Sequence, residues 1–214
     1  MLPMRRVAIE SANGSPEELR KLRELLARGG VAAVPTETYY ALATDPRVAA
    51  GVERIFRVKG RNAKEPLPVL VASRDQLARL GVEAESDRLE PYLRLWPAPL
   101  TVILPIREPI PASCGRATLG VRIPAASALR RLLASAGPLT GTSANRSGSP
   151  PLDDPDAVET LLSREIDLLV DGGRTPGGRP STIVDATVDP PAVVRPGAYS
   201  WPPPNPPARS DSGR

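Results

Sequence analysis

The chain has 214 residues, 28 basic against 24 acidic side chains for a net charge of +4, and 41% hydrophobic but only 3% aromatic residues. That length suits one domain or a domain with a small lobe, and the core must be built from Leu, Val, Ile and Ala. There is no histidine, which excludes imidazole general bases, Ser-His-Asp and Cys-His nucleophiles and imidazole metal sites; the single cysteine, Cys114, excludes an intrachain disulfide or a thiolate zinc cluster.

The segment "SPEELRKLRELLARGG" predicts the first helix. Ser15 caps it, Pro16 fits its first turn, and Glu18 completes a capping box. Leu19, Leu22, Leu25 and Leu26 form its apolar face, and Gly29 and Gly30 end it. "VAAVP" follows as a buried strand running into a loop, "TETYY". "PRVAAGVERIFRVKGR" predicts a second helix with Val48, Val52, Ile55 and Phe56 inward, delivering Lys59 and Arg61 into a loop. "PLPVLVAS" reads as a strand, "SRDQLARLG" as a short helix with Ser73 and Gln76 as a cap pair, and "ESDRLEPYLRLW" as a helix interrupted by Pro91.

"PLTVILP" and "TLGVRIP" are strands, and "ASALRRLLASAG" is a helix presenting Leu129, Leu132 and Leu133. "PLTGTSAN" is one strand entering a loop. "DDPDAVETLLSR" is a helix capped by Asp154 with Pro155 in its first turn. "IDLLVDGG", "STIVDAT" and "AVVRPGA" are strands, the last two joined through the turn signal "VDPP" as a hairpin. The alternation of helices and strands predicts an α/β fold, a twisted open mixed sheet with flanking helices in a single domain over residues 1–200. The remainder, "WPPPNPPARSDSGR" (201–214), is Pro-rich and expected to be disordered or polyproline-like. No run approaches the ~20 apolar residues of a membrane span, and "MLPMRRVAIE" has no apolar core of signal-peptide length, so a soluble cytoplasmic protein is expected.

Five polar clusters follow apolar strands or helix ends: "PTET", "KGRNAKEP", "GTSANRSG", "DGGRTPGGRPST" and "RPGA". Ligands of open α/β sheets bind outside the carboxyl ends of strands, so the clusters together suggest one crevice, although each alone reads as a solvated loop. Lys59 and Arg61, two apart, would point to one side of an extended segment and suit a multiply charged anion; from spacing alone a solvated basic loop is the simpler reading. "TSANRSG" offers the hydroxyls of Thr142, Ser143 and Ser147 and the amide of Asn145. Ser143 is not a nucleophile of the usual kind, since no histidine exists to activate it and the G-x-S-x-G elbow is missing. "GRTPGGRPS" has the glycine spacing of a P-loop at Gly173 and Gly178, but Arg179 and Pro180 replace Lys and the hydroxyl, and a strand follows instead of a helix.

Taken in order, "VPTETYYALATDP", "KGRNAKEPLPVLVAS", "LWPAPLTVIL", "LGVRIP", "PLTGTSANRSG", "DGG" with "PSTIVD", and "VVRPGA" resemble the YrdC-like domain family, in its single-domain form without an extra C-terminal domain. The resemblance implies a nucleotidyltransferase, L-threonylcarbamoyladenylate synthase, which condenses L-threonine, bicarbonate and ATP to threonylcarbamoyl-AMP and pyrophosphate for tRNA modification. It implies that Lys59, Arg61, Ser143 and Asn145 surround the reacting phosphates, and that Thr36, Tyr40, Thr118, Arg122, Ser181 and Arg195 line the substrate cleft. It further implies Mg²⁺ carried by ATP phosphates and no dedicated metal ligands. Downstream threonylcarbamoyl transferase proteins, and tRNA or double-stranded RNA, are the implied partners, with no membrane. Where the family has Gly after the tyrosine of the first block, this chain has Ala41, and the usual His-Pro after the "VRIP" block is replaced by "AAS". A YciO-like paralogue of altered specificity and a double-stranded RNA-binding module are the alternative readings; the scarcity of aromatic side chains argues against single-strand recognition by stacking, whereas a duplex reader would rely on shape and phosphates.

Overall fold

The structure is a computed structural model that describes residues 3–60, 65–83 and 89–202. In chain order its first half comprises β1 (Arg5–Ala8), α1 (Ile9–Gly14), α2 (Pro16–Ala27), β2 (Ala32–Pro35), β3 (Tyr40–Ala43), α3 (Ala49–Lys59), β4 (Val69–Leu70), α4 (Arg74–Arg79) and α5 (Glu90–Leu93). There follow β5 (Leu100–Pro105), β6 (Thr118–Arg122), α6 (Ser127–Ala136), β7 (Leu139–Thr140), β8 (Thr142–Ser143), α7 (Pro155–Leu162), β9 (Leu168–Asp171), β10 (Thr182–Asp185) and β11 (Ala192–Arg195). The α/β class with open mixed sheets and flanking helices is as expected. The strands are divided between two sheets, one of order β1-β9-β2-β3-β8 and one of order β11-β10-β5-β6-β4-β7.

The chain passes between the sheets three times, after β3, β7 and β9, and the second crossing takes a single residue. "PLTGTS" is two short strands, with β7 pairing β4 in the second sheet and β8 pairing β3 in the first. Gly141 is the residue between them. A Cβ there would lie 2.5 Å from Leu70 Cγ, so only glycine lets the chain cross from sheet to sheet at this depth.

Other departures from expectation have local causes. Ser15 Oγ accepts from Glu18 N at 3.3 Å, but the reciprocal half of the capping box is not made. Ser15 N is already donated to Ser11 O at the end of α1, and Glu18 pairs with Arg5 and Lys21. Ser73 caps α4 without a side-chain bond. Gln76 instead accepts from Ala72 N at 2.8 Å and donates to Leu133 O at 2.6 Å, tying α4 to α6. The strand in "PLPVLVAS" shrinks to Val69–Leu70, because Pro66 and Pro68 cannot donate to a ladder. Pro91 begins α5 in its first turn and does not interrupt a longer helix; residues 84–88 of that prediction lie outside the described residues. Of the Pro-rich tail, 203–214 lie outside them too; Trp201 stacks on Tyr92 with ring centroids 5.9 Å apart.

Sequence reading missed β1, α1 and β3. The last matters most: "TETYY" is the turn and first residue of a hairpin, in which Val34 faces Ala41 and Pro35 faces Tyr40. Cys114 is half-buried against the main core. Among the described residues no helix is long and apolar enough to cross a membrane.

Gly141→Ala should destabilise the protein by about 1–3 kcal/mol in urea unfolding, through overpacking against Leu70. Gly14→Ala, whose added Cβ meets nothing within 4 Å, should stay within ~0.5 kcal/mol of the parent.

Candidate functional site

Side chains alternate across a strand, so each sheet sorts its residues to two faces. In the second sheet Val102, Val121, Val69 and Val184 point into the core. The opposite face carries a different row. Registers of the ladders place Thr101 opposite Ile183, and Ile183 opposite Arg195; the β5–β6 ladder extended by one residue sets Arg122 beside Thr101. Arg122, Thr101, Ile183 and Arg195 thus form one line across four strands. All four line a cavity of about 720 Å³, whose opposite wall is the β2–β3 hairpin with β8.

That wall starts at a tight turn lacking Gly, Asn or Pro at its centre. Thr36 Oγ1 replaces them: it donates to Tyr39 O at 2.7 Å and accepts from Thr38 N at 3.1 Å and Tyr39 N at 3.2 Å. The expected substrate-contacting hydroxyl of Thr36 is therefore spent on building the turn. The adjacent tyrosines hold this hairpin to the glycine-rich segment 172–178. Tyr39 donates to Gly178 O at 2.5 Å. Tyr40, fully buried, donates to Gly173 O at 2.8 Å and accepts from Gly172 N at 3.2 Å. Burial pushes the Tyr40 phenol up to about 12, with the Gly172 N–H opposing the shift. Ala41 sits in β3 and is absent from the residues of positive φ, so alanine in place of the family's glycine carries no backbone strain here.

Lys59 is the last residue of α3, followed by Gly60 in the left-handed conformation, so it stands on a helix and not in an extended segment. It lies on the helix's apolar stripe with Val52, Ile55 and Phe56 and is itself buried. Its ammonium donates to Ser143 O at 2.7 Å, Asn145 O at 3.1 Å and Asn145 Oδ1 at 2.9 Å. Since an ammonium has only protons to offer, the amide oxygen of Asn145 must face it, and Ser143 Oγ donates to the same oxygen at 2.6 Å. Ser143 consequently turns lone pairs, not its proton, towards the cavity; to act as a donor to a ligand it must rotate.

On the sheet side, Arg195 donates Nε and Nη2 to Ser181 O at 3.2 and 2.7 Å, and Nη2 to Ser181 Oγ at 3.1 Å. Ser181 Oγ also meets Thr101 Oγ1 at 3.1 Å. Arg122 is buried and ion-paired with Glu37 at 3.4 Å. Burial pulls the Arg122 guanidinium below the usual arginine range while Glu37 opposes it, and burial followed by the charge of Arg122 pulls Arg195 down. Two guanidiniums held against their mutual repulsion beside a cavity are a ready receptor for an anion.

Of the expected residues, Thr36, Tyr40, Lys59, Arg122, Ser143, Ser181 and Arg195 meet at this cavity. Asn145 reaches it through Lys59 and Ser143. Thr118 does not: it begins β6 while Arg122 ends it, roughly 13 Å along the strand, and it is not in the lining. Arg61 lies outside the described residues. Thr101, Thr38 and Glu65 join the lining without having been singled out as site residues. Thr101 was findable, as the one hydroxyl inside the apolar run "LTVIL".

The chain is similar to known proteins over most of its length. The Sua5/YciO/YrdC family model, described as "Telomere recombination", matches residues 24–197. Threonylcarbamoyl-AMP synthase of Pyrococcus abyssi is 37% identical over 183 residues, 84% of this chain and 54% of that protein. The same-named protein of Thiobacillus denitrificans is 38% identical over 170 residues, 77% of this chain and 88% of that one. The chain spans about half the length of the Pyrococcus abyssi and Schizosaccharomyces pombe relatives it matches. Among solved structures, Pyrococcus abyssi Sua5 complexed with L-threonine superposes with a TM-score of 0.77 at 34% identity, over 85% of this chain and 54% of that one. Escherichia coli YciO superposes with 0.79 at 25% identity, over 94% and 98%.

Tyr40→Phe should cost about 1–3 kcal/mol by leaving Gly173 O and Gly172 N without their buried partner. The phenol's pKa is raised in the folded state, so its contribution is whole below about pH 10 and is lost as pH rises through about 12. The stability gap between parent and Tyr40→Phe, followed by denaturant unfolding, should therefore narrow across that alkaline interval.

Proposed function

We propose that this chain, which belongs to the Sua5/YciO/YrdC family, is a threonylcarbamoyl-AMP synthase that condenses L-threonine, bicarbonate and ATP. The observation that carries this reading is the caged ammonium of Lys59 facing the Arg122–Arg195 row across one cavity. The threonine amine and bicarbonate give an N-carboxy compound and water. A carboxylate oxygen of that compound then forms a bond to the α-phosphorus of ATP while the bond to the bridging oxygen breaks, releasing pyrophosphate. The nucleophile is already ionised, so the absence of histidine is no obstacle.

Bringing an anion onto a polyanion makes the barrier one of charge and position. Lys59, immobilised by neutral dipoles, and Arg195, anchored through Ser181, supply fixed positive charge; Arg61 is assigned to the same task by its place in the motif. Ser143 offers lone pairs as it stands and a proton once rotated. Asn145 is a positioning residue that orients both Lys59 and Ser143. Thr38 lines the cavity and donates its hydroxyl to Thr36 Oγ1 at 3.1 Å, which leaves its lone pairs to accept from a ligand and makes it a better candidate than Thr36 to meet the threonine side chain. Among the described residues no three His, Cys, Asp or Glu side chains gather as a metal cage, and Glu65 is the one carboxylate of the lining. That donor set fits Mg²⁺ held mainly by ATP phosphates and water, with Glu65, Thr142 and Ser147 as the oxygen-bearing side chains of the lining that could approach it. Bound there, Mg²⁺ would neutralise charge developing on the leaving pyrophosphate.

We assign the tRNA-modification pathway, with downstream threonylcarbamoyl transferase proteins, as the destination of the product. Pyrophosphate release from ATP by the purified protein with Mg²⁺ should require both L-threonine and bicarbonate and should fail with serine or valine. Release without threonine dependence, or ATP binding without release, would instead favour the YciO-like reading. Lys59→Met should lower kcat by about 10²-fold or more and also lower the unfolding midpoint, because Ser143 O and Asn145 lose their buried donor; normal turnover in both Lys59→Met and Arg61→Ala would remove the assignment of the phosphate site.

A further inference from the structure

Glu37 has no part in the reaction outlined above, yet its placement is costly. It stands in the turn between β2 and β3 with a side chain only 12% exposed, against an Arg122 side chain 5% exposed. Neither of its carboxylate oxygens has a hydrogen-bond partner, and neither does Arg122 Nε. Buried carboxylates normally have their lone pairs satisfied, because desolvation outweighs a bare Coulombic contact. The turn has donors at hand, but Thr38 N and Tyr39 N go to Thr36 Oγ1 and Thr36 N goes to Tyr39 O. What Glu37 brings to this site is therefore charge without hydrogen bonds.

That charge sits where it has most effect. Arg122 lines the cavity and Glu37 does not, so the carboxylate lies behind the guanidinium. Arg122 disfavours the charge of Arg195, and Lys59 adds a third cation from the opposite wall. Three cations against the single lining carboxylate of Glu65 would hold a polyphosphate tightly, including the product. We propose that Glu37 is a positioning residue whose carboxylate offsets the charge of Arg122 and Arg195 and thereby sets how readily the cavity releases a polyphosphate anion. The ion pair at 3.4 Å involves no hydrogen bond, which leaves the terminal N–H groups of Arg122 for the ligand. This role rests on the reading of the cavity as a phosphate site.

The test is calorimetric titration of inorganic pyrophosphate with Mg²⁺ into the parent and Glu37→Gln, alongside steady-state turnover. Glu37→Gln keeps the shape and removes the charge. It should bind pyrophosphate about tenfold tighter, with a lower KM for ATP and a lower kcat as product release slows. A merely structural role would weaken binding and raise KM. Should Glu37→Gln fail to fold, Glu37→Asp decides: withdrawing the carboxylate from Arg122 should tighten pyrophosphate binding by a smaller factor. Pyrophosphate affinity that is unchanged or weaker in the variants while the parent binds would overturn the counter-charge role alone. A parent that binds neither pyrophosphate nor ATP would overturn the phosphate-site reading, and this role with it.

Discussion

A buried ammonium governs the arrangement of this molecule. Lys59 is carried inward because it falls on the same stripe as Val52, Ile55 and Phe56, and a charge at that depth is tolerable only if every proton is accepted. The acceptors come from residues 143–145, which must therefore pass close to the end of α3. They do so because β8 pairs with β3, and β8 reaches β3 because the chain changes sheets at Gly141. The cage, the sheet crossing and the glycine are one requirement met three times. The same segment also binds α3 from outside, since Ser147 N donates to Lys59 O at 2.9 Å.

The cavity then owes its chemistry to a contrast between its two walls. On the hairpin side the polar groups are consumed internally: Thr36 closes a turn, Tyr39 and Tyr40 hold the glycine-rich segment, and Asn145 orients its neighbours. On the sheet side a single row of alternating positions presents Arg122, Thr101 and Arg195. One wall therefore spends its hydrogen bonds on itself and holds the single ammonium of Lys59, and the other carries two guanidiniums along one row. A charged ligand meets donors whose positions are set before it arrives, which is how an anion site avoids reorganisation at the moment of reaction.

Much of this was legible in the sequence, for reasons that differ from element to element. Helices α2 and α7 announce themselves by their caps, α6 by its apolar periodicity, and β5, β6, β9, β10 and β11 by short apolar runs between turn residues. The hairpin at Tyr40 was hidden because its turn is made by a threonine hydroxyl, so none of the usual turn residues marks it. The sheet crossing was hidden because "PLTGTS" reads as continuous strand, and glycine's reason for being there is a contact with Leu70, some seventy residues away in sequence. Lys59 was recognisable by its motif, but its burial follows only from continuing the stripe of Val52, Ile55 and Phe56 to the last residue of the helix. Glu37 was quoted from the start and given no role, since nothing local in "TETYY" says that an arginine from β6 will come to rest against it.

The scarcity of aromatic side chains has an optical consequence. The chain contains two tryptophans, and both belong to one corner of the main core: Trp201 stacks on Tyr92, and Trp96 packs in the same cluster. Trp96 donates its indole N–H to Leu100 O at 2.7 Å, immediately before Thr101 on the cavity floor. Tryptophan emission from this protein is thus a two-ring signal, with one ring fastened to the strand that carries the floor of the site. Any shift of that strand when the cavity fills is written directly into the fluorescence, with no label attached.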